Sequence, residues 1–310
     1  MSKHISIVVP VYNEQDNLCE FYKRLDHVMT NTDYAYNIIF VDDGSTDDSP
    51  LLLTDLVKRE EHAEVYLLSR NFGHQMALTC GLEHAEGDAV IMMDGDLQHP
   101  PELLPVLFKL WEDGYEIVQM VRKDTEDASF FKKITSNTYY RLINLLSKVH
   151  VTPGGSDFRL MDRSAVDALK MYGERARFIR GMVNNLGFKI INYEFVAPAR
   201  FAGESKYNLR KMLHFALDGI TAFSNVPLRW AFYLGLILGF CSMLLMGHVL
   251  FIKIFTDEAV PGWATLTGSV LFLGGVQLIG IGILGEYIGR IFEEVKQRPL
   301  YIIARHLKKR

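Results

Sequence analysis

The chain has 310 residues, a formal charge of -4 at neutral pH and a composition that is 49% hydrophobic. That hydrophobic share argues against disorder and allows one large packed domain plus an appendage, while the negative charge argues against a nucleic-acid binder, which needs a dominant basic surface. Cys19, Cys80 and Cys241 lie far apart with no Cys-x-x-Cys pair, so they read as free buried thiols rather than zinc or redox ligands.

Five β-branched runs open the chain: Ile5–Val11, Asn37–Asp42, Glu64–Ser69, Ala89–Asp94 and Glu116–Val121. Amphipathic stretches separate them, and this alternation predicts an α/β domain with a mainly parallel, Rossmann-like sheet. In such sheets ligands bind beyond the carboxyl ends of the strands. The first run begins almost at the N-terminus with no signal-peptide pattern before it, which places this domain in the cytosol. Lys123–Ala128 reads as a loop, and Phe130–Lys148 as an amphipathic helix carrying Asn137, Tyr139 and Arg141.

Further on, Leu209, Met212, Leu213, Ala216, Leu217, Ile220 and Phe223 recur at helical spacing, predicting an amphipathic helix that ends at Pro227; it either faces the core of the soluble domain or lies on a bilayer, and the apolar runs that follow favour the bilayer. Trp230–Ile252 and Ala264–Gly285 are apolar runs without a formal charge, each long enough to cross about 30 Å of hydrocarbon as a helix. His248, near the end of the first run, can reach the interface and needs no catalytic role. Arg229 lies on one flank, and Arg290, Lys296, Arg298, Arg305, Lys308, Lys309 and Arg310 lie on the other. The positive-inside rule therefore puts both long ends in the cytosol. The expected organisation is a catalytic domain over 1–207, an interfacial helix over 208–228, a transmembrane hairpin over 229–286 and a basic tail over 287–310.

Three polar clusters fall at strand ends. Pro10, Tyr12 and Glu14 follow the first strand, and Asp42 and Asp43 close the second. Carboxylates there can accept hydrogen bonds from a base and a ribose, with the tyrosine ring offering a stacking face. Asp94, Asp96 and Gln98 follow the all-apolar fourth strand and supply the hard oxygen ligands that Mg²⁺ or Mn²⁺ prefers. Two basic sites suit phosphates: Arg122 after the fifth strand, and Arg200, Ser205 and Lys206 on a loop leading towards the membrane.

Pro-Val-Tyr-Asn-Glu (10–14), Val-Asp-Asp-Gly-Ser (41–45) and Asp-Gly-Asp-Leu-Gln-His-Pro (94–100), in that order, closely resemble glycosyltransferase family 2 enzymes of the GT-A fold. Ser69–Gly73, Gly155–Arg159 and Arg200–Tyr207 extend the resemblance to the dolichyl-phosphate-mannose synthase and bactoprenol glucosyltransferase branch. By that resemblance, Pro10, Tyr12, Glu14, Asp42 and Asp43 would contact the nucleoside, with Asp43 at the base, and Asp94, Asp96 and Gln98 would hold the metal and diphosphate. Asp157 would sit near the anomeric carbon, in the position commonly given to a general base, with Arg159 as its ion partner. A phosphate acceptor is already largely dianionic at neutral pH, so Asp157 is better suited to orienting groups than to deprotonation.

The implied reaction is inverting transfer of a hexose, glucose from a uridine diphosphate donor first, to undecaprenyl or another polyprenyl phosphate. Mannose from a guanosine donor, N-acetylglucosamine and an aminoarabinose derivative are the alternatives. A homotetramer is implied by relatives with two spans. A processive polysaccharide synthase would add a Gln-x-x-Arg-Trp motif and more spans, neither of which is present. An inactive scaffold of the same fold would have no reason to keep Asp94, Asp96, Gln98, Asp157 and Lys206.

Overall fold

A computed structural model describes residues 3–123, 154–196, 198, 226–255 and 262–309. In chain order the elements are β1 (His4–Val11), α1 (Gln15–Thr30), β2 (Ala35–Asp42), α2 (Ser49–Arg59), β3 (Ala63–Leu68), α3 (His74–His84), β4 (Ala89–Met92), α4 (Leu104–Glu112), β5 (Ile117–Arg122) and β6 (Gly155–Asp162). They continue with α5 (Arg163–Lys170), α6 (Ile179–Asn184), β7 (Ile190–Phe195), α7 (Val226–Phe255), α8 (Trp263–Lys296) and β8 (Ile303–Lys308). The expected loop over 124–128, the helix carrying Asn137, Tyr139 and Arg141, the Arg200–Lys206 loop and the amphipathic helix at 209–223 lie outside the described residues.

The strands form one mixed sheet in the order β7-β5-β6-β4-β1-β2-β3-β8. β4, β1, β2 and β3 run parallel in its centre, β6 and β8 enter antiparallel, and β7 pairs parallel with β5. Strand alternation sends Ile5, Ile7 and Val9 to one core with Ile38 and Phe40, and Val8 to the other with Ile39 and Val41. On the first face α1 lays down Leu18, Phe21, Tyr22, Leu25 and Met29 at helical spacing, while α3, α5 and α6 cover the second. Both faces of the central strands are buried, which is why they read as unbroken apolar runs.

The structure departs from the sequence reading in several places. The fourth strand stops at Met92 rather than Asp94, because the Asp94 N–H turns out of the ladder and donates to His99 Nδ1 at 2.8 Å. Three strands were not anticipated. β6 carries Asp157 and Arg159 on a strand where charge masks the pattern, and β7 is a partly exposed strand at one end of the sheet. β8 arises from what was expected to be a basic tail. Its residues pair with β3, His306 stacks on Tyr66 with centroids 4.2 Å apart, and Glu64, only 6% exposed, faces His306 and Lys308 at 3.4 and 3.6 Å.

The two apolar runs are indeed long helices, and the windows Leu228–Leu245 and Gly268–Lys296 are apolar enough to cross a membrane. Pro227 lies within α7, and the helix expected to end there falls on residues outside those described. α8 continues past Gly285 as far as Lys296. All three cysteines are free, as expected, but only Cys80 is buried; Cys19 faces outward from α1 and Cys241 outward from α7.

Candidate active site

The carboxyl ends of β1, β2 and β4 and the start of α3 enclose a cleft of about 320 Å³, lined by Pro10, Tyr12, Glu14, Asp43, Asn71, Gly73, His74, Asp94 and Asp96 among others. Six residues expected from sequence thus converge on one cavity. Gln98 is tied to it through its N–H, which donates to Asp96 Oδ1 at 3.1 Å, and Arg122 Nη1 donates to Gln98 Oε1 at 3.3 Å. Asp42 is placed behind the cleft wall instead: Ser45 N–H donates to its Oδ2, while Oδ1 is buried without a hydrogen-bond partner among the described residues. Burial raises the Asp42 carboxyl above its ordinary value despite the Ser45 hydrogen bonds.

On the nucleoside side, Tyr12 is exposed and Asn13 takes a left-handed φ of 55°, its Oδ1 accepting the Thr46 N–H at 2.8 Å. Asp43 is buried and accepts from the backbone of the β3–α3 loop, Phe72 N–H at 2.7 Å and Gly73 N–H at 2.9 Å. This loop can approach only because residue 44 is glycine, since a Cβ there would meet the Arg70 carbonyl carbon at 2.4 Å. Gly73 itself has φ 100°. Burial raises the Asp43 carboxyl, opposed by these two backbone donors and the nearby His74 and Arg70 charges.

On the opposite side sits a charge cluster whose full membership was not visible in sequence. Asp157 is 2% exposed. Its expected partner Arg159 lies 3.4 Å away, but a closer, two-pronged pair comes from Arg180 on α6, with Nε donating to Oδ1 and Nη2 to Oδ2, both at 2.9 Å. His74 Nε2 stands 3.3 Å from Asp157 Oδ2 and 3.5 Å from Asp94 Oδ1, joining the two carboxylates. Burial alone would raise Asp157; the Arg180 charge, the His74 hydrogen bond and Arg159 overcome it and hold the carboxyl well below its usual range. Burial also works against charge on His74, but Asp157 and Asp94 outweigh it and lift the ring to about 8. Arg159, buried and with Nε and Nη1 making no hydrogen bond among the described residues, is pulled down to about 10 and stays cationic at neutral pH. An aspartate held this firmly ionised and enclosed by cations is a poor proton acceptor.

His74 had one clue in sequence, its place directly after the Ser69–Gly73 segment; Arg180 had none. Among the described residues no three His, Cys, Asp or Glu side chains gather as a ready metal cage. The donor set nevertheless fits a hard divalent cation sharing its shell with phosphate oxygens and water: two carboxylates at one strand end, with Asp94 Oδ1 buried and, apart from the 3.5 Å ion pair with His74, accepting no hydrogen bond among the described residues. Arg200, Ser205 and Lys206 lie outside the described residues.

Comparison with known proteins agrees with this geometry. The family described as glycosyl transferase family 2 matches residues 6–170. An uncharacterised glycosyltransferase of Bacillus subtilis (strain 168) is 44% identical over 98% of this chain and 95% of its own. The bactoprenol glucosyl transferase of Shigella phage SfII is 40% identical over 97% of both chains. Among solved structures, glucosyl-3-phosphoglycerate synthase from Mycobacterium tuberculosis, crystallised with Mn²⁺, uridine diphosphate and phosphoglyceric acid, has a TM-score of 0.50 at 19% identity, covering 71% of this chain and 76% of its own. That likeness concerns the fold, which is GT-A.

Proposed function

The chain belongs to glycosyl transferase family 2, and on that premise we propose that it moves a hexose from a nucleoside diphosphate sugar to a polyprenyl phosphate at the cytosolic face of a membrane. The observation that carries this reading is the convergence of Tyr12, Glu14, Asp43, Asp94 and Asp96 on one cleft at the carboxyl edge of a sheet whose chain continues into two membrane-length helices. The bactoprenol glucosyl transferases among its relatives support glucose as the sugar and undecaprenyl phosphate as the acceptor, with uridine diphosphate as the first donor to test. β8 supports the topology, because a strand after α8 that pairs with β3 must lie on the same side of the bilayer as the sheet. The basic residues around it favour the cytosolic side.

In this reading Tyr12 and Asp43 line the nucleoside end, with Pro10, Glu14 and, through its neighbours, Asp42 shaping it. Asp94, Asp96 and Gln98 would hold Mg²⁺ or Mn²⁺, which when bound neutralises charge developing on the leaving diphosphate. Arg122, held against Gln98, places a cation beside the same phosphates. Arg200, Ser205 and Lys206 are assigned to phosphate binding by sequence alone. Asp157 orients rather than deprotonates, and the lipid phosphate, already dianionic, attacks the anomeric carbon in line. Direct displacement inverts configuration, turning an α-linked donor into a β-linked product with no covalent enzyme intermediate.

Assembly as a homotetramer belongs to the same proposal. Gly268, Gly275, Gly282 and Gly289 recur at every seventh position along α8, and small residues at such spacing suit close helix contact. The function is tested by incubating membranes bearing the protein with a panel of radiolabelled nucleotide sugars and undecaprenyl phosphate, then extracting lipid. Label in the organic phase from one donor is expected, and label confined to water with every donor would refute the proposal.

A further inference from the structure

The second membrane-length helix is joined to the charge cluster of the cleft by a short run of hydrogen bonds. α8 extends past Gly285, and at about 1.5 Å per residue Glu294 stands roughly 14 Å beyond the apolar run. There Glu294 Oε1 accepts the backbone N–H of Arg175 at 2.8 Å and that of Ala176 at 3.4 Å. These residues belong to the segment that leads into α6. Ile179, the first residue of α6, donates its N–H to Gln75 Oε1 at 3.0 Å, next to His74 on α3. One residue later Arg180 makes its two 2.9 Å bonds to Asp157.

The end of α8 is fixed from other directions as well. Tyr301 OH donates to Glu83 of α3, and β8 pairs with β3. α6 is seated by buried Ile179, Met182 and Val183, so a displacement of the 175–176 backbone is passed on to Arg180 rather than absorbed by loose packing. We infer that Glu294 is a positioning residue: it couples the second membrane-length helix to the Arg180–Asp157 pair and sets that pair for transfer. The inference rests on the proposed lipid-phosphate reaction for its kinetic consequence, but not for its structural one.

The test uses the full chain in lipid vesicles and three variants. Glu294→Ala removes the acceptor, Glu294→Gln keeps an oxygen able to accept both N–H groups, and Glu293→Ala removes only a neighbouring exposed carboxylate paired with Lys296 at 3.1 Å. Hydrogen exchange should quicken across 175–180 in Glu294→Ala, and stay at the wild-type rate in Glu294→Gln and Glu293→Ala. In the transfer assay kcat should fall about tenfold in Glu294→Ala, with the KM for the nucleotide sugar unchanged, and recover in Glu294→Gln. Unchanged exchange in Glu294→Ala overturns the inference whether or not the acceptor has been correctly named. So does altered exchange with wild-type kcat, or an equal loss in Glu294→Gln and Glu294→Ala. Absence of transfer by the wild-type protein counts against the proposed reaction, and the exchange result then decides the coupling alone.

Discussion

Replacing Arg180 by alanine isolates the interaction that most distinguishes this cleft from a generic strand-end carboxylate cluster. Asp157 is 2% exposed and would keep Arg159 at 3.4 Å and His74 at 3.3 Å, while losing both 2.9 Å bonds. Breaking a wholly buried pair costs about 3–5 kcal/mol. The Arg180 side chain is 39% exposed and Arg159 remains as a second cation, so about 2–3 kcal/mol is the better figure here. For a chain of this size that lowers Tm by roughly 5–8 °C, read by thermal scanning in detergent with a chelator present.

The pH dependence carries the sharper test. A carboxyl held below its unfolded value contributes stability that is complete above that value, near 4, and is lost as pH falls through the folded one. The gap between wild type and Arg180→Ala should therefore be full at pH 7 and shrink as pH drops below about 4. A Tm difference under 1 °C at pH 7, or one that grows on acidification, would refute the assignment of Asp157 as a clamped anion. Arg24→Ala, which breaks an exposed two-pronged pair with Glu102, is the control and should cost no more than about 1 kcal/mol.

Asp96→Asn should reduce transfer by about 100-fold or more while the protein stays folded and in the membrane; wild-type turnover would remove Asp96 from the metal site. In a Cys241→Ser background, a maleimide should label exposed Cys19 and leave Cys80 unlabelled until unfolding, since burial pushes the Cys80 thiol up to about 12. Equal labelling rates in the folded protein would contradict the packing of α3. His306→Ala should lower stability by about 0.5–1.5 kcal/mol through loss of the Tyr66 stack. Truncation before Tyr301 should cost more, because it also removes His306 and Lys308 from buried Glu64 and Tyr301 from Glu83; an unshifted Tm in either variant would mean β8 is dispensable.

The central strands were legible because they are buried on both faces and leave unbroken apolar runs ended by polar clusters. The same rule hid β6, where Asp157 and Arg159 interrupt the run although both are buried; Asp157 sits there because Arg180 and His74 join Arg159 around it, and pairing across the fold is invisible in a linear pattern. β8 was hidden for the opposite reason. As a partly exposed strand at the end of the sheet it is basic and short, and charge read as a solvated tail is the form that protects a sheet edge. In the cleft, residues next to strand ends were found from sequence, since topology gathers strand ends automatically. Arg180 arrives from α6, where nothing but the folded chain brings it to Asp157. Gln98 and Arg122 were each anticipated, but their 3.3 Å contact emerges only from the antiparallel insertion of β6 between β4 and β5.

The central step is a sugar leaving the nucleotide for a lipid phosphate in the cleft that contains Asp94 and Asp96. The most direct measurement is release of nucleoside diphosphate by purified protein, with and without polyprenyl phosphate, for wild type and Asp96→Asn. Release by wild type that rises with added polyprenyl phosphate and Mg²⁺ or Mn²⁺, and is lost in the variant, is predicted. Release indifferent to the lipid phosphate, or undiminished in Asp96→Asn, would contradict the account.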